Sequence, residues 1–187
     1  REGNLHPSAV VIVATVRALK MHGGVAKSEL TGENLEALSK GIPNLEKHIE
    51  NMQGFGVPVV VAINRFPTDT EAELKLVHER CAAFGVPVAL SEIWAKGGEG
   101  GIELAERILE AVEKPNSFHP LYDVAQSPKE KIEKIAKEIY GAKGVTYTAQ
   151  AEKDLEEIHR LGKDNLVICM AKTQASISDN PVRKDSN

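Results

Sequence analysis

Two aromatic side chains stand where a flat ligand could be held, each shortly after an apolar segment. Phe66 and Trp94 follow the segments 57–63 and 86–90. The same pattern, Gly-Val-Pro-Val, occurs at the start of both segments, at 56–59 and 85–88. If these segments are neighbouring parallel strands, about 4.8 Å apart, the loops after them share the carboxyl edge of the sheet, where open α/β folds bind ligands. The spacing therefore predicts a slot for a planar ring. A core or lid role for either aromatic is the alternative.

Polar residues lie at the ends of the same two predicted strands. Asn64 ends the first, and Ser91 follows the second. An amide side chain can both donate to and accept from a purine edge, which predicts a contact with a nucleotide base. Asparagine is also a common turn residue before a helix, and the spacing alone favours that alternative.

Three potentially cationic side chains follow the first apolar run. The run AVVIVA at 9–14 predicts another central strand, and the loop predicted after it carries Arg17, Lys20 and His22. Cationic groups beyond a parallel strand suit an anion such as a phosphate. A solvated loop ending in a Gly-Gly turn is the alternative.

The remaining pattern predicts the elements of an α/β fold. The segments 9–14, 57–63 and 86–90 lack polar alternation, as expected of parallel strands covered on both faces. Apolar residues spaced three and four apart predict helices over 35–54, with a break at Gly41 and Pro43, and over 71–84. A further helix is predicted after the glycine-rich stretch, with these residues inward: Ile102, Ala105, Leu109 and Val112.

A proline-containing connector divides the predicted sheet from a smaller segment. We therefore predict domains at 1–114 and 115–187, the second a small α+β appendage with helices beginning near Pro128 and at Thr148 and a strand at 166–170. The predicted fold class is α/β with a three-layer parallel sheet. Because the first predicted strand begins so early and the last residues carry no hydrophobic pattern, we expect a chain cut at both ends.

Composition excludes several classes of function. With 187 residues, 42% of them hydrophobic, and a formal charge of −4 without a basic stripe, the chain suits a globular protein that does not bind nucleic acid. No apolar run approaches the roughly 20 residues of a membrane span. The two cysteines, Cys81 and Cys169, indicate thiols in a reducing, cytoplasmic compartment. No zinc or haem spacing occurs, so no metal ligands are predicted, and the glycines at 97–101 lack the Lys of a Walker A loop.

Four blocks of sequence, in order, resemble the formate–tetrahydrofolate ligases. They are VATVRALKMHGG at 13–24, VPVVVAINRFPTDT at 57–70, YGAKG at 140–144 and ICMAKTQ at 168–174, and the resemblance runs from about residue 7 to 181. It implies ATP-dependent ligation of formate to tetrahydrofolate through formyl phosphate, giving 10-formyltetrahydrofolate for one-carbon metabolism and purine biosynthesis. The implied fold is a P-loop NTPase-like α/β fold.

The resemblance also implies roles for individual residues. Those matching the family's folate-holding positions are Phe66, Pro67 and Trp94. Those expected toward the ATP base are Asn64, Leu90, Ser91 and Glu92. Arg17, Lys20 and His22 would lie near the phosphates as weak candidates for catalytic residues. The implied substrates are ATP with Mg²⁺, formate and tetrahydrofolate, with a possible monovalent cation and a homo-oligomeric enzyme.

The chain also departs from the pattern of the family. The family's phosphate-binding loop and formyl phosphate residues lie upstream of the matching region, so we expect a central-to-C-terminal fragment that is inactive alone. A P-loop-like module that binds a nucleotide or planar ligand without catalysis is one alternative. A GTPase-like fragment is another, suggested by Asn64 and Arg65 but weakened because Pro67 occupies the position of the expected aspartate, with Asp69 two residues late.

Overall fold

The computed structural model describes residues 3 and 5–170, and the chain divides after Phe118 into two compact units. The strands of the first unit are β1 (Val10–Ala14), β2 (Val59–Asn64) and β3 (Val88–Ser91). Its helices are α1 (Val16–His22), α2 (Leu35–Gly54), α3 (Glu71–Ala83), α4 (Ile93–Lys96) and α5 (Ile102–Val112), with 3₁₀ turns at Lys27–Glu29 and Gly97–Gly101. The second unit contains α6 (Pro128–Lys134), continued by a π-helical turn at Ile135–Ile139, and α7 (Ala149–Arg160).

The three strands form one parallel sheet in the order β1-β2-β3. This confirms the predicted α/β class and the common carboxyl edge. The strand β2 is central, and all of its residues except Asn64 are buried, which explains the absence of polar alternation. The strands β2 and β3 begin two residues later than predicted, after Pro58 and Pro87, whose carbonyls accept hydrogen bonds from Val10 and Val61.

The main core lies on one face of this sheet. Alternate residues of β2, namely Val59, Val61 and Ile63, point to the same side and pack against apolar side chains of α2 and α3. The helical residues in this cluster are Leu38, Ile42, Leu45, Ile49, Leu74, Val77 and Cys81. Burial raises the pKa of the Cys81 thiol to about 11, so this cysteine packs as a neutral, apolar side chain.

The predicted break in α2 is wrong, because the helix runs without interruption through Gly41 and Pro43. A Cβ on Gly41 would lie 1.8 Å from the carbonyl oxygen of Leu19, so this glycine allows α1 and α2 to approach closely. Burial of one apolar face along the whole of α2 keeps the helix together despite the hydrogen bond that Pro43 cannot donate.

The predicted loop after β1 is also wrong, since this segment forms α1. The side chain of Thr15 accepts a hydrogen bond from the backbone N–H of Ala18 at 3.1 Å and caps the new helix. Val16 and Leu19 are buried on its inner side. The cationic residues predicted on a loop are therefore held by a helix packed against α2.

The inward face predicted for α5 is rotated from the observed one. Ile102 and Leu109 are 55% and 65% exposed, and Ala105 and Val112 are exposed as well. Leu104, Ile108 and Ala111 are the less exposed apolar residues of this helix. Periodicity alone could not choose between the two faces, because apolar residues lie on both.

The first helix of the second unit begins as predicted at Ser127 and Pro128, where Ser127 and Glu130 form a capping box. The predicted strand at 166–170 is wrong, because residues 161–170 contain no strand. Lys131 Nζ donates to the carbonyl of Leu166, and the backbone N–H of Ile168 donates to Tyr122 Oη at 2.9 Å. Side chains thus satisfy the backbone groups that a strand would have paired. The remainder of the predicted motif at 171–174 and the tail from 176 lie outside the described residues.

Candidate functional site

The carboxyl ends of β2 and β3 bring the predicted site residues to one edge. Asn64 and Ser91 are paired in register, and the backbone N–H of Arg65 donates to the Ser91 carbonyl at 3.1 Å, one residue beyond the strand. The chain then leaves β2 toward Phe66 and leaves β3 toward Trp94. The predicted convergence of the two aromatic-bearing loops on this edge is therefore present.

Phe66 begins a tight turn that ends at Asp69. The backbone N–H of Asp69 donates to the Phe66 carbonyl at 3.0 Å, and the N–H of Phe66 donates to Asp69 Oδ2 at 2.8 Å. Pro67 is exposed at the second turn position, which its fixed φ favours. These contacts hold the half-buried ring of Phe66 at the start of the loop. Burial raises the pKa of the Asp69 carboxyl, and the nearby Glu73 carboxylate adds to the rise.

Trp94 lies in α4, the short helix that follows β3, and its side chain is 60% exposed. The indole Nε1–H donates to the Arg65 carbonyl at 2.8 Å, so the ring lies against the exit of the neighbouring strand. The turn around it is closed by a hydrogen bond from the Glu92 N–H to the Gly100 carbonyl at 2.9 Å. A Cβ on Gly100 would lie 2.5 Å from Glu92 backbone atoms, so only glycine fits there.

Charged side chains surround this edge in alternating sign. Arg65 pairs with Glu71 at 2.6 Å and lies 3.8 Å from Glu92, which in turn pairs with Lys96 at 2.5 Å. The hydrogen bond from Lys96 holds the pKa of the Glu92 carboxyl below its usual value. The two cations are therefore engaged by carboxylates, and the exposed large apolar side chains that follow β3 are Ile93 and Trp94.

The residues predicted to contact the ATP base lie together at the same edge. Ser91 is buried and accepts from the Arg65 N–H, while Asn64 is half-buried at the end of β2. The backbone N–H of Leu90 donates to a carboxylate oxygen of Glu103 at 3.3 Å. These residues thus lie at one place on the sheet, and their contact with a nucleotide remains a prediction.

The three predicted cationic residues have different surroundings. Lys20 is fully buried, pairs with Glu73 at 2.8 Å and donates to the Gly32 carbonyl at 2.8 Å, so its charge is already engaged inside the protein. Arg17 instead lies over the ring of Phe66 and donates to Thr68 Oγ1. His22 is half-buried as the last residue of α1. The three side chains therefore do not present one shared cationic surface, and their place near the phosphates stays a prediction.

Three contacts at this edge are missing from the sequence-based interpretation. They are the Arg17 guanidinium over Phe66, the Asp69 carboxylate on the Phe66 amide, and the Trp94 indole on the Arg65 carbonyl. The second has a local signal, since an aspartate three residues after the start of a Pro-containing turn is typical of side-chain capping. The other two depend on which loops become neighbours, and no local pattern reports that.

Within residues 3 and 5–170, no group of three or more His, Cys, Asp or Glu side chains is arranged to hold a metal ion. In the same residues, no helix has the length and apolar character needed to cross a membrane.

The sequence was compared with models of known protein families. The model described as formate–tetrahydrofolate ligase matches residues 1–187, which is the full length of the chain. The match includes the edge that carries Phe66, Pro67 and Trp94, and it confirms the family resemblance drawn from the four sequence blocks. The chain belongs to the formate–tetrahydrofolate ligase family.

Proposed function

We propose that the chain is part of an ATP-dependent enzyme that joins formate to tetrahydrofolate and forms 10-formyltetrahydrofolate. The family match supports the reaction, and the structure supports a place for the folate. The observation that carries this place is the exposed indole of Trp94, fixed by Arg65 next to the turn that presents Phe66. A reduced pterin has apolar faces and a polar rim, and it would rest on these aromatic surfaces with Pro67 beside them.

The proposed mechanism has two balanced steps. A formate oxygen attacks the γ-phosphorus of ATP, ADP leaves, and formyl phosphate forms. The N10 amine of tetrahydrofolate then attacks the formyl carbon, the carbon–oxygen bond to phosphate breaks, and the nitrogen loses its proton. Phosphorylation is needed because formate is a poor electrophile with an oxide leaving group. The part assigned to this chain is the alignment of the amine, which converts an encounter into a directed attack.

The nucleotide is proposed to bind at the same edge of the sheet. We propose that Asn64, Leu90, Ser91 and Glu92 lie toward the adenine, as in a P-loop NTPase-like sheet, because they share the carboxyl edge with the aromatics. Mg²⁺ usually reaches such a site through phosphate oxygens and water. Since residues 3 and 5–170 offer no metal-ligating cluster, we assign no residue to Mg²⁺ or to a monovalent cation and derive no step through either.

The direct test is binding of tetrahydrofolate to the 187-residue chain. Trp94 is the single tryptophan of the sequence, so its fluorescence reports on the proposed site without interference from other tryptophans. We expect saturable quenching by tetrahydrofolate after correction for ligand absorbance, with the same dissociation constant by calorimetry. Absence of binding to a chain that unfolds cooperatively would contradict the proposal.

Turnover provides a second test. The sequence contains no Gly-x-x-x-x-Gly-Lys-Ser/Thr loop, so we expect the 187-residue chain to show no ATP-dependent formation of formyltetrahydrofolate by itself. A rate typical of a complete ligase would show that phosphate is held by residues other than those expected. Binding without turnover is also the behaviour of a ligand-binding module, and discrimination between ATP and GTP would separate the ligase from a GTPase-like protein.

A further inference from the structure

Arg17 makes two contacts that converge on the loop carrying Phe66. Its guanidinium carbon lies 4.2 Å from the centroid of the Phe66 ring, and its Nη2 donates to Thr68 Oγ1 at 3.1 Å. Arg17 is the second residue of α1, whereas both of its partners lie in the turn after β2. One side chain thus binds both the ring and the turn that presents it.

The chemistry of the guanidinium suits this double contact. A cation over an aromatic face is attracted by the ring quadrupole, and the planar guanidinium can stack on the ring while its edge donates hydrogen bonds. Within residues 3 and 5–170, no carboxylate lies within salt-bridge distance of the Arg17 guanidinium. The charge of Arg17 acts on the Phe66 ring at 4.2 Å and, more weakly, on the Asp69 carboxyl of the same turn, where it partly offsets the rise in pKa that burial causes.

The contact also decides how a ligand can approach Phe66. Arg17 covers one face of the ring, so a planar ligand can stack only on the opposite face. With the amide of Phe66 held by Asp69, both ends of the residue are fixed before a ligand arrives. A side chain that is ordered in advance does not lose rotational freedom when the ligand binds, and this raises affinity.

We propose that Arg17 is a positioning residue for the folate, which holds the Phe66 ring so that the face opposite Arg17 receives the pterin. This inference rests on the proposed function and extends it. The family resemblance implies a place for Arg17 near the phosphates, whereas its contacts associate it with the folate. In this role the cation acts through Phe66 and touches neither formate nor the phosphates of ATP. Its loss should therefore weaken folate binding and leave nucleotide binding unchanged.

The test uses substitutions in the 187-residue chain. Arg17→Met keeps the length of the stem and removes the cation, while Arg17→Lys keeps the cation and removes the planar fork. Thr68→Val removes the acceptor on the turn with little change of shape. Arg80→Met is the matched control, because Arg80 is likewise a helical arginine held by a partner from another element, Glu46 of α2, but lies in the last turn of α3.

The measured quantities are the dissociation constants for tetrahydrofolate and ATP and the unfolding temperature. We expect Arg17→Met to weaken tetrahydrofolate binding about three- to tenfold, with Arg17→Lys recovering part of the loss, and with ATP affinity unchanged. Thr68→Val should cause a smaller loss of the same kind. Arg80→Met should lower the unfolding temperature and leave tetrahydrofolate affinity within about twofold.

The possible outcomes separate the two proposals. If the wild-type chain does not bind tetrahydrofolate, the proposed function fails and this inference fails with it. If the wild type binds and Arg17→Met binds equally well, the inference alone is wrong. Equal losses for tetrahydrofolate and ATP, together with a large fall in unfolding temperature, would assign Arg17 a purely structural role. Should Arg17→Met not fold, unchanged affinity in both Arg17→Lys and Thr68→Val would overturn the inference.

Discussion

At the scale of single residues, the Phe66 and Trp94 rings are held by contacts from other parts of the chain. Each ring follows an apolar run, a local pattern that occurs twice in the sequence. Arg17 contacts Thr68 across 51 positions of sequence, and the Trp94 indole bonds a backbone carbonyl, which any residue type supplies. Local pattern therefore identifies which side chains are presented, whereas packing decides how they are held.

The first residue-scale prediction concerns the two aromatics themselves. Phe66→Ala and Trp94→Ala should each weaken tetrahydrofolate binding at least several-fold, because one stacking contact contributes about 0.5–1.5 kcal/mol beyond area burial and the ring's buried area is lost as well. ATP affinity should be nearly unchanged. Calorimetry is the suitable measurement, since Trp94→Ala also removes the fluorescence probe. If both rings contact one ligand, the double variant should depart from additivity.

A matched control separates ligand contact from packing. Phe55 is also half-buried but precedes β2 at the opposite edge of the sheet, so Phe55→Ala reports the cost of losing such a ring far from the site. We expect it to lower the unfolding temperature and to leave tetrahydrofolate affinity unchanged. Trp94→Ala should do the reverse, because this ring is largely exposed. Equal damage by Phe66→Ala to both ligands and to stability would identify Phe66 as a core residue.

At the scale of elements, a buried ion pair joins α1 to α3. Lys20 Nζ lies 2.8 Å from Glu73 Oε1, and both side chains are fully buried. Glu73 also accepts hydrogen bonds from the backbone N–H groups of Asn34 and Thr70, at 3.1 Å each. Burial opposes its ionisation, but these hydrogen bonds and Lys20 together hold the Glu73 pKa below the ordinary value of 4.5. The segment predicted as an open cationic loop is thus fixed to the helix after the Phe66 turn.

We expect removal of either partner of this pair to destabilise the chain strongly. Lys20→Met or Glu73→Gln should each cost about 3–5 kcal/mol at neutral pH, because the remaining partner is left buried without its counter-charge. The double variant should lose less than the sum of the two, since it leaves no isolated charge. Urea unfolding measures these values. Glu36→Gln, which breaks the exposed pair with Lys40, is the control and should change stability little.

The same pair predicts a dependence of stability on pH. Because the folded state lowers the Glu73 pKa, the carboxylate contributes its full stabilisation above the unfolded value of about 4.5 and loses it as the pH falls through the folded value. The difference in unfolding free energy between wild type and Glu73→Gln should therefore narrow below pH 4.5. A difference that stays constant on acidification would show that Glu73 does not titrate with folding.

The sequence predicted elements well where one physical signal dominated and poorly where two competed. The strands were predicted because fully buried parallel strands have continuous apolar runs, as β2 shows. In α2, Gly41 and Pro43 indicate a break, whereas the long apolar face indicates one continuous helix, and the helix is continuous. At 166–170 the apolar run suggested a strand, but Lys131 and Tyr122 supply hydrogen bonds to its backbone instead. Such competition is decided by tertiary contacts.

At the scale of the whole molecule, the residues of the proposed site belong to the first compact unit. At the end of that unit, residues 116–118 contact the segments that precede β1 and β2. Asn116 Nδ2 donates to the Pro7 carbonyl at 2.6 Å, and the Ser117 N–H donates to the Gly56 carbonyl at 3.0 Å. The ring of Phe118 packs edge-to-face with His6 at 5.7 Å between centroids. Residues 116–118, in the first part of the predicted connector, are thus part of this unit's structure.

These contacts make the position of the domain boundary testable. The sequence-based boundary at 114 would remove Asn116, Ser117 and Phe118, whereas a boundary after 118 keeps them. We expect the chain 1–118 to unfold cooperatively and to bind tetrahydrofolate within about twofold of the 187-residue chain, because its aromatics and Arg17 are all retained. The chain 1–114 should be less stable by about 1–3 kcal/mol, since it loses these hydrogen bonds and the ring contact.

Urea unfolding and calorimetry of both chains measure the two effects, with Asn116→Ala in the 187-residue chain as a milder version of the same loss. Equal stability of 1–114 and 1–118 would show that the connector contributes nothing to the sheet, and loss of tetrahydrofolate binding by a folded 1–118 would assign part of the folate site to residues after 118.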